Sequence, residues 1–561
     1  MSMMLSFILA LSLSMLILPM LIKHAAAWGL LDAPDTRKHH VGLVPRVGGL
    51  AIAIGTLLSA TIWSFADVAY VGFLLGSLVI VLFGLLDDRN NLDYRLKFAG
   101  QIAAAIIVTG FGIQLTILPF ITAEIVPAVL IVLTVLFLLA STNAFNLLDG
   151  LDGLAAGCGI LSLAAIGVLS LTSVEGGSVV FIAAAALGGI LGFLRYNTHP
   201  AIVYMGDAGS QFLGFSIGAL AILLIERSGG QYSPALVLPL LGLPIIDTAL
   251  VMVTRIREGR SPFSPDRNHI HHRLLARGLT HREAVAAIYL AQTMLVVSAI
   301  IFRGHSELDI VLVYAATCLA CAAGYFLLRR RPTPTSAPAH NLTAHHAPAR
   351  LYSSWVELIR VWLIRYIAAS LIVYLLAGAV ILEAMTIDMG IIALACAALA
   401  VALGLWRRMA MISARLISYL AVISISYLSG VTPDLPWLNS IVFYMWLGSI
   451  AMAIALVMAS RVRNLFNPSP QDLLTILVVL AVVAFPAVMT DQSVIASTAV
   501  RALVFLYACE VLIMVRPGRA PLLSFIGAIS LVLLAMFHGA LTVETSTMTS
   551  DAVEDPKYEE T

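Results

Sequence analysis

The sequence predicts an all-α polytopic integral membrane protein with about 18 transmembrane helices. Of its 561 residues, 60% are hydrophobic and only 11% are charged, and the mean hydropathy is +0.98. A soluble domain carries about 25% charged residues, so this composition excludes a soluble globular fold. The apolar runs are long and continuous, as spanning helices of about 20 residues require. They lack the short alternating pattern of membrane β-strands.

Eleven apolar segments precede a polar break at 329–350, and seven follow it. The break is rich in Pro, Ala and His, which predicts a flexible cytoplasmic linker. We therefore expect a membrane domain at 1–328, a second membrane domain of unknown role at 351–540, and a polar acidic tail at 541–561. Spans are expected near 4–22, 47–65, 68–86, 98–112, 124–142, 153–171, 178–194, 211–225, 235–254, 284–302, 308–328, 362–382, 388–406, 411–429, 438–459, 471–489, 496–515 and 520–540.

The distribution of positive charge predicts the topology. A signal peptide is the alternative for the first apolar run, but its positive charges follow the run, beginning at Lys23, and do not precede it. We therefore expect a retained span with the N-terminus outside. When the sides alternate from there, the 32 Lys and Arg residues fall on the cytoplasmic side except for Arg227, Arg303, Arg501 and Lys557. This bias satisfies the positive-inside rule along the whole chain.

The same topology places the polar clusters on one face. Each segment that is dense in Asp, Asn or His falls on the cytoplasmic side, although the segments are far apart in the sequence. This arrangement predicts a single site with cytoplasmic loops, assembled at the membrane interface. The clusters are DAPDTRKHH (32–40), DDRNNLD (87–93), NAFNLLDGLD (143–152), GDAGS (206–210) and SPFSPDRNHIHHRL (261–274).

The first acidic pair lies at the end of the third span. Asp87 and Asp88 are adjacent at a helix C-terminus, where the helix dipole disfavours anions. A cation must therefore compensate them, and Lys97, Arg95 and a divalent metal ion are the candidates. The alternative interpretation is a pair of solvated acids at a helix end.

Four polar residues share a spacing of three in the next cluster. Asn143, Asn146, Asp149 and Asp152 can lie on one helix face, because residues i and i+3 are neighbours there. Two carboxylates and two amides on one stripe suit Mg²⁺, which prefers oxygen ligands, and phosphate groups. The alternative is an Asx-rich helix N-cap, which explains only one or two of the four.

Two further acids occupy special positions. Asp207 lies among small residues just before the eighth span, where exposed backbone N–H groups favour an anion. It can cap that helix, bind a metal ion, or both. Asp247 lies inside the ninth span, where a charge is expensive and usually functional. A direct ion pair between Asp247 and Arg255 is not assured by the spacing.

The most basic loop of the chain carries three histidines. His269, His271 and His272 follow Asp266 and Arg267, and four further arginines lie in the same segment. The H-x-H-H pattern permits zinc, but no cysteine accompanies it and the surroundings are strongly cationic. Phosphate binding fits better, while a simple topology determinant is the alternative. A P-loop is absent from the sequence, so a P-loop ATPase has no support.

The set of motifs resembles a known family over about residues 1–330. DTRKHHVGLVPRVGG, GLLDDRNNL, NAFNLLDGLDGLAAG, GDAGSQFLG and SPFSPDRNHIHHRL resemble, in order and spacing, the polyprenyl-phosphate N-acetylhexosamine-1-phosphate transferases of glycosyltransferase family 4. The last motif is more similar to the WecA-type branch than to the MraY-type branch, which uses a UDP-muramoyl-pentapeptide. As a set the five motifs are highly specific, whereas any one of them alone is weak.

The resemblance implies a reaction, a cofactor and a location. The phosphate of undecaprenyl phosphate would attack the β-phosphorus of a UDP-N-acetylhexosamine, with UDP-GlcNAc as the expected donor, and UMP would leave. The lipid-linked product would initiate a cell-surface glycan. Mg²⁺ is the expected cofactor, with Mn²⁺ as a substitute. The protein would lie in the bacterial cytoplasmic (inner) membrane, with a homodimer as one expected assembly, and would bind no nucleic acid.

The resemblance also implies residue roles. Asp207 and Asn146 would hold Mg²⁺, Asp87 would orient or deprotonate the lipid phosphate, and Asp88 would assist at the metal or at a lysine. A base is not strictly required, because phosphomonoesters have a second pKa of about 6. Asp149 and Asp152 match positions tied to catalysis or nucleotide binding. The substrate-binding residues would be Asn143, Arg255, Asp266, Arg267, His269, His271, His272 and Lys97.

Two other classes of protein are open alternatives. A transporter or flippase would explain the seven extra spans and the intramembrane acids Asp247, Glu383 and Glu510. However, transporter sites lie near the bilayer midplane, whereas these polar clusters concentrate at one face. A pure scaffold would leave five polar clusters on one face without ligands. The sugar epimer and the downstream glycan are not readable from the sequence.

Overall fold

The described part of the chain is predominantly helical, which confirms the all-α class. In this computed structural model the described residues up to Leu327 form one compact unit, and those from Ser354 onward form a second. The structure describes residues 2–32, 43–121, 125–173, 176–261, 268–327, 354–381, 398, 410–431, 441–459, 493–515 and 521–534.

The first unit consists of helices and one short ribbon. In the ribbon, β1 (Leu31–Asp32) pairs antiparallel with β2 (Val44–Pro45). A 3₁₀ turn at Pro234–Leu236 precedes α9. The helices are α1 Ser2–His24, α2 Gly48–Ser64, α3 Val68–Asn90, α4 Tyr94–Gly110, α5 Pro127–Leu148, α6 Leu154–Ser170, α7 Gly177–Asn197, α8 Gly206–Glu226, α9 Val237–Leu241, α10 Leu243–Arg257, α11 Ile270–Ala276, α12 His281–Phe302 and α13 Glu307–Leu327.

The described helices are consistent with a multi-pass membrane protein. Eight of them are long and apolar enough to cross a bilayer, and one bent helix pair would make a ninth. The predicted total of about 18 spans and the predicted sidedness stay predictions. The predicted spans at 388–406 and 471–489 lie outside the described residues, apart from residue 398, as does the predicted tail at 541–561.

The ninth predicted span, at 235–254, differs from a straight helix. The segments Pro234–Leu241 and Leu243–Arg257 meet at an angle of 84°. Gly242 lies between them at φ +59°, a conformation that favours glycine, and a Cβ there would lie 2.4 Å from Gln292 Oε1. The side chain of Gln292 accepts the Leu243 N–H at 2.8 Å. A side chain from α12 thus satisfies backbone that the break leaves unpaired.

Helix α8 lies at the centre of the first unit. Its apolar 18-residue stretch is entirely buried, and it packs against α2, α3, α5 and α6. Small residues allow this close packing, because a Cβ on Gly84 of α3 would lie only 2.4 Å from the Cα of Ala208 in α8. The helix begins at Gly206, so its N-terminus is fixed against the C-terminal end of α3.

An ion pair fixes the other end of the same helices. Asp67 caps α3 by accepting the Ala69 N–H, and it pairs with Arg227 at 2.6 and 2.9 Å. Burial raises the pKa of Asp67, but hydrogen bonds from Arg227 and Ser178 and the charge of Arg227 outweigh burial, so the pKa is lowered. These contacts join the start of α3, the start of α7 and the end of α8.

The second unit has its own core. Tyr374 stacks on Phe505 with ring centroids 3.7 Å apart. Glu510 accepts a hydrogen bond from Arg415 at 2.9 Å, and the fully buried Arg501 donates to Ser429. The described helices are α14 Ser354–Ile381, α15 Ala410–Val431, α16 Ile441–Ala459, α17 Ser493–Val515 and α18 Pro521–Leu534.

Candidate active site at the ends of four helices

The polar site begins where α3 meets α8. The carboxylate of Asp88 accepts the backbone N–H groups of Asp207 and Ala208 at 2.9 and 3.0 Å, so it caps α8 from a neighbouring helix. Gly206 lies at φ +71°, and a Cβ there would lie 2.6 Å from Asp88 Oδ2. Only glycine allows this close approach, through which the acidic pair and the GDAGS motif are in direct contact.

Lys97 joins two acids from different helices. Its Nζ lies 2.7 Å from Asp87 Oδ2 and 2.6 Å from Asp207 Oδ2. The other carboxylate oxygen of Asp87 accepts the Leu92 N–H at 2.8 Å. Lys97, one of the predicted cations, therefore pairs with the first of the two adjacent acids, whereas the second, Asp88, accepts backbone N–H groups. Asp87 is buried, whereas 36% of the Asp207 side chain is exposed, which leaves Asp207 open to a ligand.

Asn146 completes the surroundings of Asp207. Its Nδ2 donates to Asp207 Oδ1 at 2.9 Å and to Ser210 Oγ at 2.8 Å. Helix α5 places it there because Asn146 lies in the last turn, one turn after Asn143. Asp207 is thus contacted by a lysine from α4 and an amide from α5, and its backbone by an aspartate from α3.

Asn143, one helical turn before Asn146 in α5, belongs to a series of hydrogen-bonded side-chain amides. Its Nδ2 donates to Gln101 Oε1 at 2.7 Å, and Gln101 Nε2 donates to Gln211 Oε1 at 2.9 Å. This relay connects α5, α4 and α8, and Gln101 and Gln211 are buried. The contacts position the helices that carry Lys97 and Asp207. The predicted substrate-binding role of Asn143 stays a prediction.

Asp149 lies just beyond the end of α5, so the prediction of one helix face that carries Asn143, Asn146, Asp149 and Asp152 is wrong for the last two residues. Burial raises its pKa to about 8, and the negative charges of Asp207, Asp88 and Asp152 add to the shift. These acids therefore lie close enough to repel one another, and a proton or a cation is needed to neutralise them.

The PRVGG segment of the first motif docks beside this cluster. The backbone N–H groups of Gly48 and Gly49 donate to the carbonyl oxygens of Tyr204 and Met205. A Cβ on Gly49 would lie 2.1 Å from the backbone N of Gly209, so the two backbone segments touch directly. The first and fourth motifs thus form one backbone contact. Residues 33–42, which include DTRKHH, lie outside the described residues.

The acid inside the broken span holds the histidine loop. Asp247 Oδ2 lies 2.9 Å from His269 Nδ1, and Asp247 Oδ1 accepts the Ile270 N–H at 2.9 Å. These two contacts join Asp247 to the start of α11. Arg255 itself is buried.

The histidine loop also reaches the 143–152 segment. A Cβ on Gly150 would lie 2.3 Å from His271 Nε2, so the imidazole rests directly on the Gly150 backbone. Burial lowers the pKa of His271 to about 3, together with the neighbouring His272 and His269. His271 is therefore neutral near pH 7. The predicted site residues Asp266 and Arg267 lie outside the described residues.

Asp152 contacts residues that lie outside the cluster around Asp207. Its Oδ2 lies 2.6 Å from His199 Nδ1 and accepts the Ala201 N–H at 3.2 Å. The backbone N–H of Asp152 donates to His281 Nε2 at 3.1 Å. Neither His199 nor His281 belongs to a motif of the sequence. No spacing rule could have connected them, because they lie at the ends of separate helices.

The donor chemistry of the cluster fits Mg²⁺. Asp87, Asp149 and Asp207 supply carboxylate oxygens, and Asn146 supplies an amide whose oxygen takes the place of its nitrogen when the amide group is flipped. Such hard oxygen donors are what Mg²⁺ prefers. The mutual repulsion evident at Asp149 also favours an added cation.

The fold and the site together define a class: a multi-pass membrane protein with an acidic polar cluster at the ends of its helices. A family model described as glycosyl transferase family 4 matches residues 70–225, which include Asp87, Asp88, Asp149 and Asp207. The chain belongs to this family, which confirms the resemblance found in its motifs.

Named relatives agree with the family. The chain is 37% identical over 304 residues to a probable undecaprenyl-phosphate N-acetylglucosaminyl 1-phosphate transferase of Bacillus subtilis, which covers 53% of this chain and 84% of that protein. It is 38% identical to a decaprenyl-phosphate N-acetylglucosaminephosphotransferase of Mycolicibacterium smegmatis, over 47% of this chain and 73% of that protein. It is 34% identical to an undecaprenyl-phosphate alpha-N-acetylglucosaminyl 1-phosphate transferase of Escherichia coli K12, over 49% and 76%.

Proposed function

We propose that this protein transfers N-acetylglucosamine-1-phosphate from UDP-GlcNAc to undecaprenyl phosphate. The observation that carries the proposal is the agreement between the relatives' names and the site, in which Asp87, Lys97 and Asp207 converge from three helices. The transferase activity and the polyprenyl phosphate acceptor follow from the relatives. The uridine nucleotide follows from the resemblance of the motifs.

The proposed reaction is a phosphoryl transfer. An oxygen of the lipid phosphate attacks the β-phosphorus of the nucleotide sugar and forms a new P–O–P bond. The bond between that phosphorus and the bridging oxygen breaks, and UMP leaves with the electron pair. Such a reaction depends mainly on positioning and on neutralising charge. The lipid phosphate is largely ionised near neutral pH. Transfer of its remaining proton to Asp87 is therefore only a minor requirement of the reaction.

The acidic cluster would hold the cofactor and the phosphates. Asp207 and Asn146 would bind Mg²⁺, and Mn²⁺ would substitute. When bound, the ion neutralises charge on the diphosphate and eases the departure of UMP. Asp87 would orient the lipid phosphate, and Lys97 lies between Asp87 and Asp207, where a cation can also contact a phosphate. Asp88 supports this arrangement by holding the start of α8.

The remaining predicted residues would surround the donor. Asp149 would act in catalysis or nucleotide binding, next to the loop on which His271 rests. Asp152 has the same proposed role through its position in that loop. The nucleotide or its phosphates would contact Asn143, Arg255, Asp266, Arg267, His269, His271 and His272.

The membrane arrangement is part of the proposal. The polar cluster would face the cytoplasm across the bacterial inner membrane, with the N-terminus outside and about 18 spans. The catalytic domain would comprise residues 1–328, followed by a cytoplasmic linker and a second membrane domain at 351–540. The family match at 70–225 supports the placement of the enzyme in the first domain. A homodimer is the proposed assembly.

The test is transfer of radiolabel from UDP-[¹⁴C]GlcNAc to undecaprenyl phosphate by the purified full-length protein. We expect a labelled lipid and stoichiometric UMP, with loss of both on addition of EDTA and recovery with excess Mg²⁺. A panel of other UDP-sugars identifies the donor. Movement of the labelled lipid or nucleotide across a vesicle membrane without UMP release would instead favour the transporter alternative, which the relatives' names do not support.

A further inference from the structure

Two histidines beside the acidic cluster have no part in the proposed reaction. His199 follows α7 and His281 is the first residue of α12, and both lie next to Asp152 before α6. One donor atom from each of the three side chains lies within 4.8 Å of the other two. Within the described residues, this is the single group of three or more His, Cys, Asp or Glu side chains that converges so closely.

Asp152 and His199 are already held in place. His199 Nδ1 lies 2.6 Å from Asp152 Oδ2, and the Ala201 N–H donates to the same oxygen. The imidazoles of His199 and His281 stack with centroids 4.1 Å apart and an angle of 18° between their planes. Backbone hydrogen bonds that orient a ligand are typical of metal sites, because they reduce the cost of assembling the donors.

Hydrogen bonding alone does not satisfy His281. Its Nε2 accepts the Asp152 N–H at 3.1 Å, so a neutral ring carries its proton on Nδ1. That Nδ1 is buried, and within the described part of the chain it has no hydrogen-bond partner. A buried donor without a partner is unfavourable. If the imidazole of His281 turns, one of its nitrogens can instead bind a cation together with Asp152 and His199.

We propose that Asp152, His199 and His281 bind a divalent d-block ion, with Zn²⁺ as the prime candidate. Two imidazoles and one carboxylate form a donor set that such ions favour, whereas Mg²⁺ prefers oxygen donors only. The side chain of His199 is 39% exposed, so an ion and a water ligand can reach the site from solvent. This site differs in its donor set from the cluster at Asp207, and it shares Asp152 with the residues proposed to act in catalysis or nucleotide binding.

The ion would connect three segments. Asp152 belongs to the loop that carries Asp149 and Gly150, and His281 begins α12, which packs on α6. A shared ion therefore ties this loop to the ends of α7 and α12. We expect the ion to raise the thermal unfolding midpoint of the protein, because it binds the folded state and not separated segments.

The test measures zinc binding by the full-length protein in detergent after removal of metals and in excess Mg²⁺. Isothermal titration with Zn²⁺ gives the stoichiometry, and Co²⁺ provides a d–d absorption spectrum that reports nitrogen ligands. We expect one Zn²⁺ per chain and an upward shift of the unfolding midpoint. His199→Ala, His199→Asn and His281→Gln should each weaken binding at least about tenfold.

Two controls separate a metal site from a cluster held by hydrogen bonds alone. His305→Ala removes an exposed histidine beyond the opposite end of α12 and should leave zinc binding unchanged. His199→Asn keeps a hydrogen-bond donor for Asp152. If hydrogen bonds alone hold the cluster, this variant would be as stable as the wild type, and zinc would not change the unfolding midpoint of the wild type. Zinc binding that persists in the His199 and His281 variants but is lost in His272→Ala would assign the ion to the other histidine loop. Either result would overturn the proposal.

Discussion

The carboxylate of Asp88 holds the backbone of Asp207 from a neighbouring helix. Its two oxygens accept the N–H groups of Asp207 and Ala208, the first residues of α8 after Gly206. Asp88 is therefore a positioning residue that fixes the residue proposed to bind Mg²⁺. The family resemblance implied a role for Asp88 at the metal or at a lysine, whereas the geometry favours an action through the backbone.

Replacing Asp88 by Asn tests this positioning. An amide can accept only on one side, so one N–H of α8 loses its acceptor, and a lost cap costs about 0.5–2 kcal/mol. We expect a higher Mg²⁺ concentration for half-maximal activity and a lower kcat. Asp93→Asn is the matched control, because Asp93 caps α4 at an exposed position. Wild-type Mg²⁺ dependence in Asp88→Asn would refute the positioning role.

Asp207→Asn should abolish transfer while expression and membrane insertion persist. The change removes an anionic oxygen from the proposed metal site and the partner of Lys97 without altering the shape of the side chain. We expect less than about a tenth of wild-type activity at saturating Mg²⁺, a loss of more than about 1.4 kcal/mol in transition-state stabilisation. UMP release is the measurement, and Asp309→Asn is an exposed control. Higher residual activity would argue against direct metal binding by Asp207.

Gly150→Ala should displace the histidine loop. The added Cβ would lie 2.3 Å from His271 Nε2, so the imidazole must move. Since a displacement of about 1 Å near reacting groups can cost up to about a hundredfold in rate, we expect a fall in kcat/KM of roughly ten- to a hundredfold. Gly177→Ala is the control, because its Cβ meets no atom within 4 Å. Equal kinetics of the two variants would show that the contact has no functional role.

Substitution of the three histidines tests the phosphate-binding role of their loop. His269→Ala, His271→Ala and His272→Ala should raise KM for the UDP-sugar or lower kcat. Because the pKa of His271 is about 3, its ring stays neutral near pH 7 and should add no step to the pH–rate profile there. Steady-state kinetics across pH check this. An ionisation near pH 7 in the pH–rate profile of the wild type that disappears in His271→Ala would contradict a neutral His271.

The raised pKa of Asp149 predicts a dependence of stability on pH. Its pKa rises from the ordinary 3.8 to about 8, so the folded protein holds this proton more tightly than the unfolded chain. The contribution of this proton to the free energy of unfolding is complete below pH 3.8. It is lost as the pH rises towards 8, by less than about 1.4 kcal/mol per pH unit. Without Mg²⁺, the unfolding midpoint should fall over this range, and less so in Asp149→Asn. An equal slope in both proteins would exclude Asp149 as the source.

Truncation after residue 345 tests the two-domain organisation. The described residues up to Leu327 form a compact unit that contains every described residue of the site. We therefore expect residues 1–345 to insert and to release UMP in vitro, while glycan output in cells decreases. The comparison is UMP release per folded protein against the full-length chain. A well-inserted but inactive truncate would show that residues after 345 complete the active site.

Much of the architecture could be predicted from the sequence because hydrophobicity acts locally. A run of about 20 apolar residues specifies a membrane helix wherever it lies, so segments such as α3 and α8 coincide with predicted spans. The break at Gly242 escapes such a prediction, because the apolar run continues through it. The side chain of Gln292, far along the chain, stabilises that break, and hydropathy cannot report such a contact.

The sequence by itself determined the fold class, the family and the residue types of the site, because five motifs in fixed order carry that information locally. Only the tertiary structure decided how these residues act on one another. Asp88 caps α8, Asp247 holds His269, and His199 and His281 meet at Asp152, each across a separation that no helical spacing rule covers. The physical reason is that hydrogen bonds and ion pairs depend on distances of about 3 Å, which packing of the whole bundle sets.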